Sequence, residues 1–112
     1  MEDCIFCRIV AGEMGTDLVY GDDRLIAFAD LAPQAPVHCL IVPRVHVANL
    51  SAASGDPGLL GHLLQTAAQL ARDLGLTAGY RVVINTGSDG GQTVAHLHVH
   101  LLGGRRLRWP PG

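Results

Sequence analysis

From His96 to Leu102 the chain reads His-Leu-His-Val-His-Leu-Leu, an alternation that suits one backbone conformation. In an extended strand successive side chains point to opposite faces. The spacing therefore predicts a strand with Leu97, Val99 and Leu101 on a buried face and the imidazoles of His96, His98 and His100 on the other. Rings in such a row repel one another when protonated, and histidine is the side chain most easily poised near neutral pH as base, acid, nucleophile or metal ligand. Half of the six histidines fall within these five residues, a concentration that a merely polar edge strand does not need. The residues alone leave two chemistries open: a catalytic metal centre held by imidazoles, or one nucleophilic ring aimed by its neighbours.

Other segments supply the frame. Ile5, Phe6, Ile9 and Val10 have helical spacing ended by Ala11-Gly12, which predicts a short helix over Cys4 to Val10. Leu18 to Tyr20 and Leu25 to Ala29 flank Gly21-Asp22-Asp23-Arg24 as a hairpin, and Val37 to Val42 reads as a strand stopped by Pro43. The two prolines of Ala32-Pro33-Gln34-Ala35-Pro36 require a loop. Leu59, Leu60, Leu63, Leu64, Ala67, Leu70, Ala71 and Leu74 form one apolar face of a helix from about Pro57 to Leu74, closed by Gly75 and suited to covering a sheet. Tyr80 to Asn85 is a further strand, and a glycine-rich connection, Thr86 to Gln92, leads into the histidine strand. The expected fold class is α+β, a mainly antiparallel five-stranded sheet with one long and one short helix.

At 112 residues, 48% hydrophobic and 16% charged, the chain reads as one globular domain, residues 1–112. A net charge of −2 gives no electrostatic case for gripping a long nucleic acid, and no window reaches the apolar length of a membrane span. The acidic N-terminus is not that of a secretory signal, so a cytoplasmic location is expected, where three cysteines serve as ligands or buried thiols. All eight basic residues are arginine, as in GC-rich bacterial genomes.

The stretch from Asn85 through Gly104, with Gly87-Ser88-Asp89-Gly90-Gly91-Gln92 ahead of the His96 to Leu102 run, resembles the histidine triad (HIT) superfamily and its H-φ-H-φ-H-φ-φ signature. Asp30 to His38, Ile41 to Arg44, Leu59 to Leu63, Asp73 to Leu76 and Trp109-Pro110-Pro111-Gly112 match its Hint, or purine nucleoside phosphoramidase, branch in the same order. The resemblance implies cleavage at the α-phosphorus of a purine nucleotide through a covalent nucleotidyl-histidine, releasing AMP or GMP. His98 would be the nucleophile, His100 would contact the phosphate or leaving group, and His38 would support the triad. Asp30 would accept the ribose hydroxyls. Asn85, Gly91, Gln92 and Thr93 would donate to the phosphate, and Leu31, Ile5 and Phe6 would wall the base pocket. Taken singly these residues have plainer readings: the glycine loop is a turn, Asp30 a turn cap, Ile5 and Phe6 core. His62 is read as without a role and Cys39 as core. A nucleotide-binding regulatory module with little turnover, and a metal-dependent hydrolase using the histidine row as zinc ligands, are the alternatives.

Cys4-Ile5-Phe6-Cys7 departs from the best-known animal Hint proteins. In other HIT-superfamily proteins such a pair joins two histidines on a structural Zn2+, which here implies Cys4, Cys7, His46 and His96. No organic cofactor is implied. Hint homodimers continue the sheet across a two-fold axis with the C-terminal tail near the partner's site, so Trp109 either influences the leaving group there or packs on its own domain.

Overall fold

A computed structural model describes residues 3–112. Helix α1 covers Ile5–Val10, strand β1 Tyr20–Gly21, β2 Leu25–Ala29, β3 Val37–Pro43, helix α2 Pro57–Asp73, strand β4 Tyr80–Val83 and β5 Val99–Gly103. The strands form one sheet in the order β1-β2-β3-β5-β4, every neighbour pair antiparallel, so the expected α+β architecture is what the chain adopts.

Asp56 caps α2 by accepting the Leu59 N–H, with Pro57 in the first turn where its missing N–H costs nothing. Its apolar stripe, Leu59, Leu63, Ala67, Leu70 and Ala71, lies on one sheet face against Leu25, Ala27, Cys39, Ile41, Leu97, Val99 and Leu101. The register sets Ile41 opposite Val99 and Cys39 opposite Leu101. By the same alternation, Ile26, Phe28, Leu40 and Val42 point to the other face, where Phe6 of α1 completes a second cluster. The central strands are covered on both sides, which explains their nearly unbroken apolar sequence.

Four strands differ from expectation in their bounds, β3 only in that Pro43 is still its last residue, paired with Leu25. β5 begins at Val99, so His96 and His98 precede the ladder, although Leu97 still faces the α2 core. The Leu97 N–H donates to the Val47 carbonyl at 2.6 Å instead of joining a sheet partner. β4 ends at Val83 because its partner His100 is near the start of β5, leaving Ile84 and Asn85 outside the ladder. β1 is Tyr20–Gly21, beginning two residues later than expected and ending one later, where Asp22 Oδ1 accepts the N–H groups of Arg24 and Leu25 and closes the turn. Among the described residues no helix is long and apolar enough to cross a membrane.

Candidate functional site

Backbone partners determine which nitrogen of each imidazole carries the proton, because a peptide N–H can only donate and a carbonyl can only accept. His98 Nδ1 lies 2.7 Å from the His96 carbonyl oxygen and so donates, which leaves the lone pair on Nε2. His96 Nε2 lies 2.9 Å from the Pro43 carbonyl oxygen, so its lone pair is on Nδ1. The Gln34 N–H donates to His38 Nδ1 at 3.0 Å, which places the His38 proton on Nε2. That proton is shared with Nδ1 of His100, 2.9 Å away, and His100 then carries its own proton on Nε2. The chain runs from Gln34 through His38 to His100 in a single direction.

Burial favours the neutral forms of His100 and His96. The His100 pKa is pushed down to about 4, mainly by desolvation and then by the neighbouring His98 and His38, with Asp30 opposing. Burial likewise lowers that of His96. The His98 and His100 ring centroids are 5.0 Å apart, and those of His38 and His100 5.2 Å. The sheet makes this contact: His38 is registered against Leu102 and His100 against Leu40, so the two histidines meet diagonally on one face. Phe6 packs its ring edge-on to His98 at 5.0 Å and to Phe28 at 5.8 Å, an apolar support beneath the central ring.

His96 also packs on Phe6, at 5.8 Å between ring centroids, but it is directed to the cysteines. Its Nδ1 lies 3.3 Å from Cys4 Sγ and 3.5 Å from Cys7 Sγ, and His46 Nδ1 lies 3.3 Å from Cys7 Sγ. These four atoms converge within 4.8 Å of one another. With Zn–S near 2.3 Å and Zn–N near 2.0 Å, ligand atoms on a tetrahedron stand about 3.5 Å apart, so the set fits zinc in both chemistry and spacing. The Pro43 carbonyl orients the His96 ring by accepting from its other nitrogen, as metal-bound imidazoles require. Burial, followed by the Cys4 thiol, pushes the Cys7 thiol pKa up, so an incoming cation must displace protons there.

The remaining candidates are placed less uniformly. Ile5 and Thr93 line a cleft of about 320 Å³ with Asp3, Cys4, His46 and Val94. Phe6 is buried under His98, while Leu31 is 101% exposed on the proline loop. Asp30 caps its own turn, Oδ1 accepting the Ala32 N–H at 2.9 Å, and its Oδ2 lies 3.4 Å from His38 Nε2. Gln92 is committed to its loop: Oε1 accepts the Gly87 N–H, and Nε2 donates to the carbonyls of Ala48 and Val94. The N–H groups of Gly91 and Gln92 are bonded to Ser88 and Gly87, so these two residues brace the loop in this structure and have no donor turned outward there. Asn85 is half-buried beyond the end of β4. Trp109 is 82% exposed and does not pack on its own domain. A cavity of about 680 Å³ lies between the β4 edge and the tail at Arg105 to Leu107, away from the triad.

Sequence reasoning missed four participants. Gln34, Pro43 and Arg105 enter through backbone groups or bonds to them, which leave no side-chain pattern to find. His62 is not idle: Nε2 lies 2.7 Å from Asp22 Oδ2, joining α2 to the β1–β2 turn.

The sequence profile of the HIT domain family matches residues 11–107. An uncharacterized HIT-like protein of Synechococcus elongatus is 58% identical over 112 residues, covering 99% of this chain and 98% of that one. The crystal structure of a HIT family hydrolase from Legionella pneumophila superposes with a TM-score of 0.95 at 46% identity, covering 98% and 100% of the two chains. A histidine triad nucleotide-binding protein from Candida albicans gives 0.83 at 30% identity over 96% and 83%. A zinc-bound histidine triad family protein from Mycobacterium smegmatis gives 0.81 at 27% identity over 99% and 81%. With the imidazole row, the sheet order and these likenesses in agreement, the chain belongs to the HIT domain family.

Proposed function

We propose that the protein is a hydrolase that cleaves purine nucleoside 5′-phosphoramidates, or related nucleotidyl conjugates, at the α-phosphorus through a nucleotidyl-His98 intermediate. The observation that carries this reading is the bond from His98 Nδ1 to the His96 carbonyl, which fixes the Nε2 lone pair without spending the proton that activates it. The hydrolase and nucleotide-binding relatives agree with it in kind.

In the first step His98 Nε2 forms a bond to phosphorus as the bond from phosphorus to the leaving amine breaks. In the second, water attacks phosphorus and the N–P bond breaks, returning the lone pair to Nε2. The steps together consume one water, whose hydroxyl stays on the released AMP or GMP while its proton leaves with the amine. His100, with its proton on Nε2 through the His38 contact, donates to the phosphate oxygens or the departing nitrogen, where charge develops. Asp30 Oδ2 accepts from a ribose hydroxyl, Thr93 and Asn85 donate to the phosphate, and Ile5 and Leu31 flank the base above Phe6.

Cys4, Cys7, His46 and His96 would hold zinc, which would tie α1 to the segment ahead of β5 and would act structurally, since protein fills all four positions. Thiolate ligands of this kind suit a reducing compartment such as the cytoplasm. A metal-dependent hydrolase built on the whole row is disfavoured, because His96 spends Nε2 on Pro43 and turns Nδ1 to the thiols. The protein acts as a homodimer joined through the free edge of β4, with exposed Trp109 reaching the partner's site.

The test is turnover of a fluorogenic adenosine phosphoramidate. His98→Ala should lose at least about a thousandfold in kcat; a variant with full activity contradicts the reading.

A further inference from the structure

Two groups favour the proton on His38 Nε2: Asp30 Oδ2, 3.4 Å from that nitrogen, and the Gln34 N–H, which at 3.0 Å occupies the lone pair of Nδ1 and is supplied by an exposed loop. Residues Leu31 to Pro36 are mostly solvent-exposed, and Pro33 and Pro36 have no N–H to anchor them. The bonds from Gln34 Nε2 to the Ala32 carbonyl and from the Ala32 N–H to Asp30 Oδ1 are local and do not fix the loop against the sheet. Among the described residues, two bonds reach this loop from other elements. One is Gln34 N–H to His38 Nδ1, and the other is Arg105 Nη2 to the Gln34 carbonyl oxygen at 2.8 Å. Gln34 is thus gripped on both of its peptide planes.

The tail is shaped for this contact. Gly104 follows β5 with φ +89°, and a Cβ there would stand 2.9 Å from Pro36 Cβ, so the chain lies against the proline loop before turning the Arg105 guanidinium onto Gln34. Arg105 Nη1 also donates to the Arg106 carbonyl, which holds the guanidinium plane in place. Arg105 has no carboxylate within salt-bridge distance among the described residues, so its fork is committed to backbone carbonyls.

We propose that Arg105 is a positioning residue that sets the direction of the imidazole relay by holding the Gln34 N–H on His38 Nδ1. This rests on the catalytic reading above. With the Gln34 N–H in place, His38 must carry its proton on Nε2 and His100 must carry its proton on Nε2, ready to donate to phosphate. Without it, His38 is free to take the other tautomer; its Nε2 then accepts from His100 Nδ1, and His100 Nε2 presents a lone pair to an anionic substrate. A donor becomes a repelling acceptor with no change in net charge.

The test compares the full-length protein with Arg105→Met, which keeps the stem and removes the donors, and Arg105→Lys, which keeps one. Arg72→Met, at an exposed position on α2 where the guanidinium bonds to Gln69 and to no other described side chain, controls for the loss of a surface charge. Turnover of adenosine phosphoramidate and 15N-resolved imidazole NMR of His38 are the readouts. Arg105→Met should lower kcat about tenfold with KM within about twofold. It should also move the His38 nitrogens from an Nε2–H pattern toward a tautomer average, and Arg105→Lys should recover part of both effects. An Arg105→Met protein with unchanged kcat, or with reduced kcat but an unaltered His38 Nε2–H pattern, overturns the proposal. The NMR readout needs no substrate. A wild-type protein inactive on phosphoramidates would therefore count against the catalytic reading, while the His38 pattern still judges the role of Arg105.

Discussion

His98 donates its Nδ1–H to the carbonyl oxygen of His96 at 2.7 Å, and the ring of His96 turns its own Nδ1 toward the thiols of Cys4 and Cys7. On the proposed reading one residue thus serves two sites, its backbone orienting the nucleophile and its side chain completing a set that would hold zinc. Loss of the metal should first be felt as loss of the frame that holds His98. Cys4→Ser and Cys7→Ser are expected to lose stoichiometric zinc and to lower the thermal midpoint by about 10 °C. Metal analysis beside calorimetry checks this, and full zinc retention in both variants would rule the set out.

The depressed His100 pKa makes a statement about acid stability. An unfolded histidine takes up its proton near pH 6.5, whereas folded His100 resists until about pH 4. In that window the unfolded chain binds more protons, so the stability present above about pH 6.5 is lost progressively as pH falls toward 4. His100→Gln should flatten this part of the curve. Thermal midpoints of both proteins from pH 7.5 to 4 provide the measurement, and parallel curves would count against the shift.

Asp22 gathers Tyr20 Oη, the N–H groups of Arg24 and Leu25, and His62 Nε2. Burial works against its charge, but these donors outweigh it and hold the carboxyl well below the usual carboxylate range. Its contribution to stability is therefore present above the unfolded aspartate pKa near 4 and is lost as pH falls further. Because the cluster lies between α2 and the β1–β2 turn, Asp22→Asn should cost about 1–3 kcal/mol in urea unfolding while leaving kcat within about twofold. A large kcat loss at full occupancy of the folded state would show that this network reaches the site.

The glycine loop is tight enough to test directly. A Cβ on Gly90 would collide with the Thr86 backbone carbonyl, so Gly90→Ala must open the turn that Gln92 braces. The expected result is at least about a tenfold loss in kcat/KM, with the midpoint lowered by only a few degrees. Unchanged kinetics would remove this loop from the phosphate site.

Much of this arrangement was legible in the sequence because it is written in side-chain periodicity. The His96 to Leu102 alternation did place Leu97, Val99 and Leu101 in the core and the imidazoles opposite, and α2 follows its leucine stripe from Pro57. Strand ends were not legible, since β5 starts where Val99 meets Ile41 of β3, one residue before β4 joins at His100, and Leu97 bonds instead to Val47. The polar wiring was hidden for a related reason: the groups that decide the imidazole tautomers are the Gln34 N–H and the carbonyls of Pro43 and His96, and every residue type carries a carbonyl and all but proline an N–H. Side-chain pattern also could not show that Gln92 would spend its amide on its own loop, whereas the plainer reading of Asp30 as a turn cap is what the structure contains.

The central claim is that His98 Nε2 becomes covalently bonded to the α-phosphorus. Intact-protein mass spectrometry after rapid acid-free denaturation, with an adenosine phosphoramidate in turnover, reads this directly. The account predicts a population heavier by one adenylyl group, mapped by peptide fragmentation to His98 and missing from His98→Ala. Turnover with no adduct under conditions that preserve phosphohistidine, or an adduct on another residue, would contradict it.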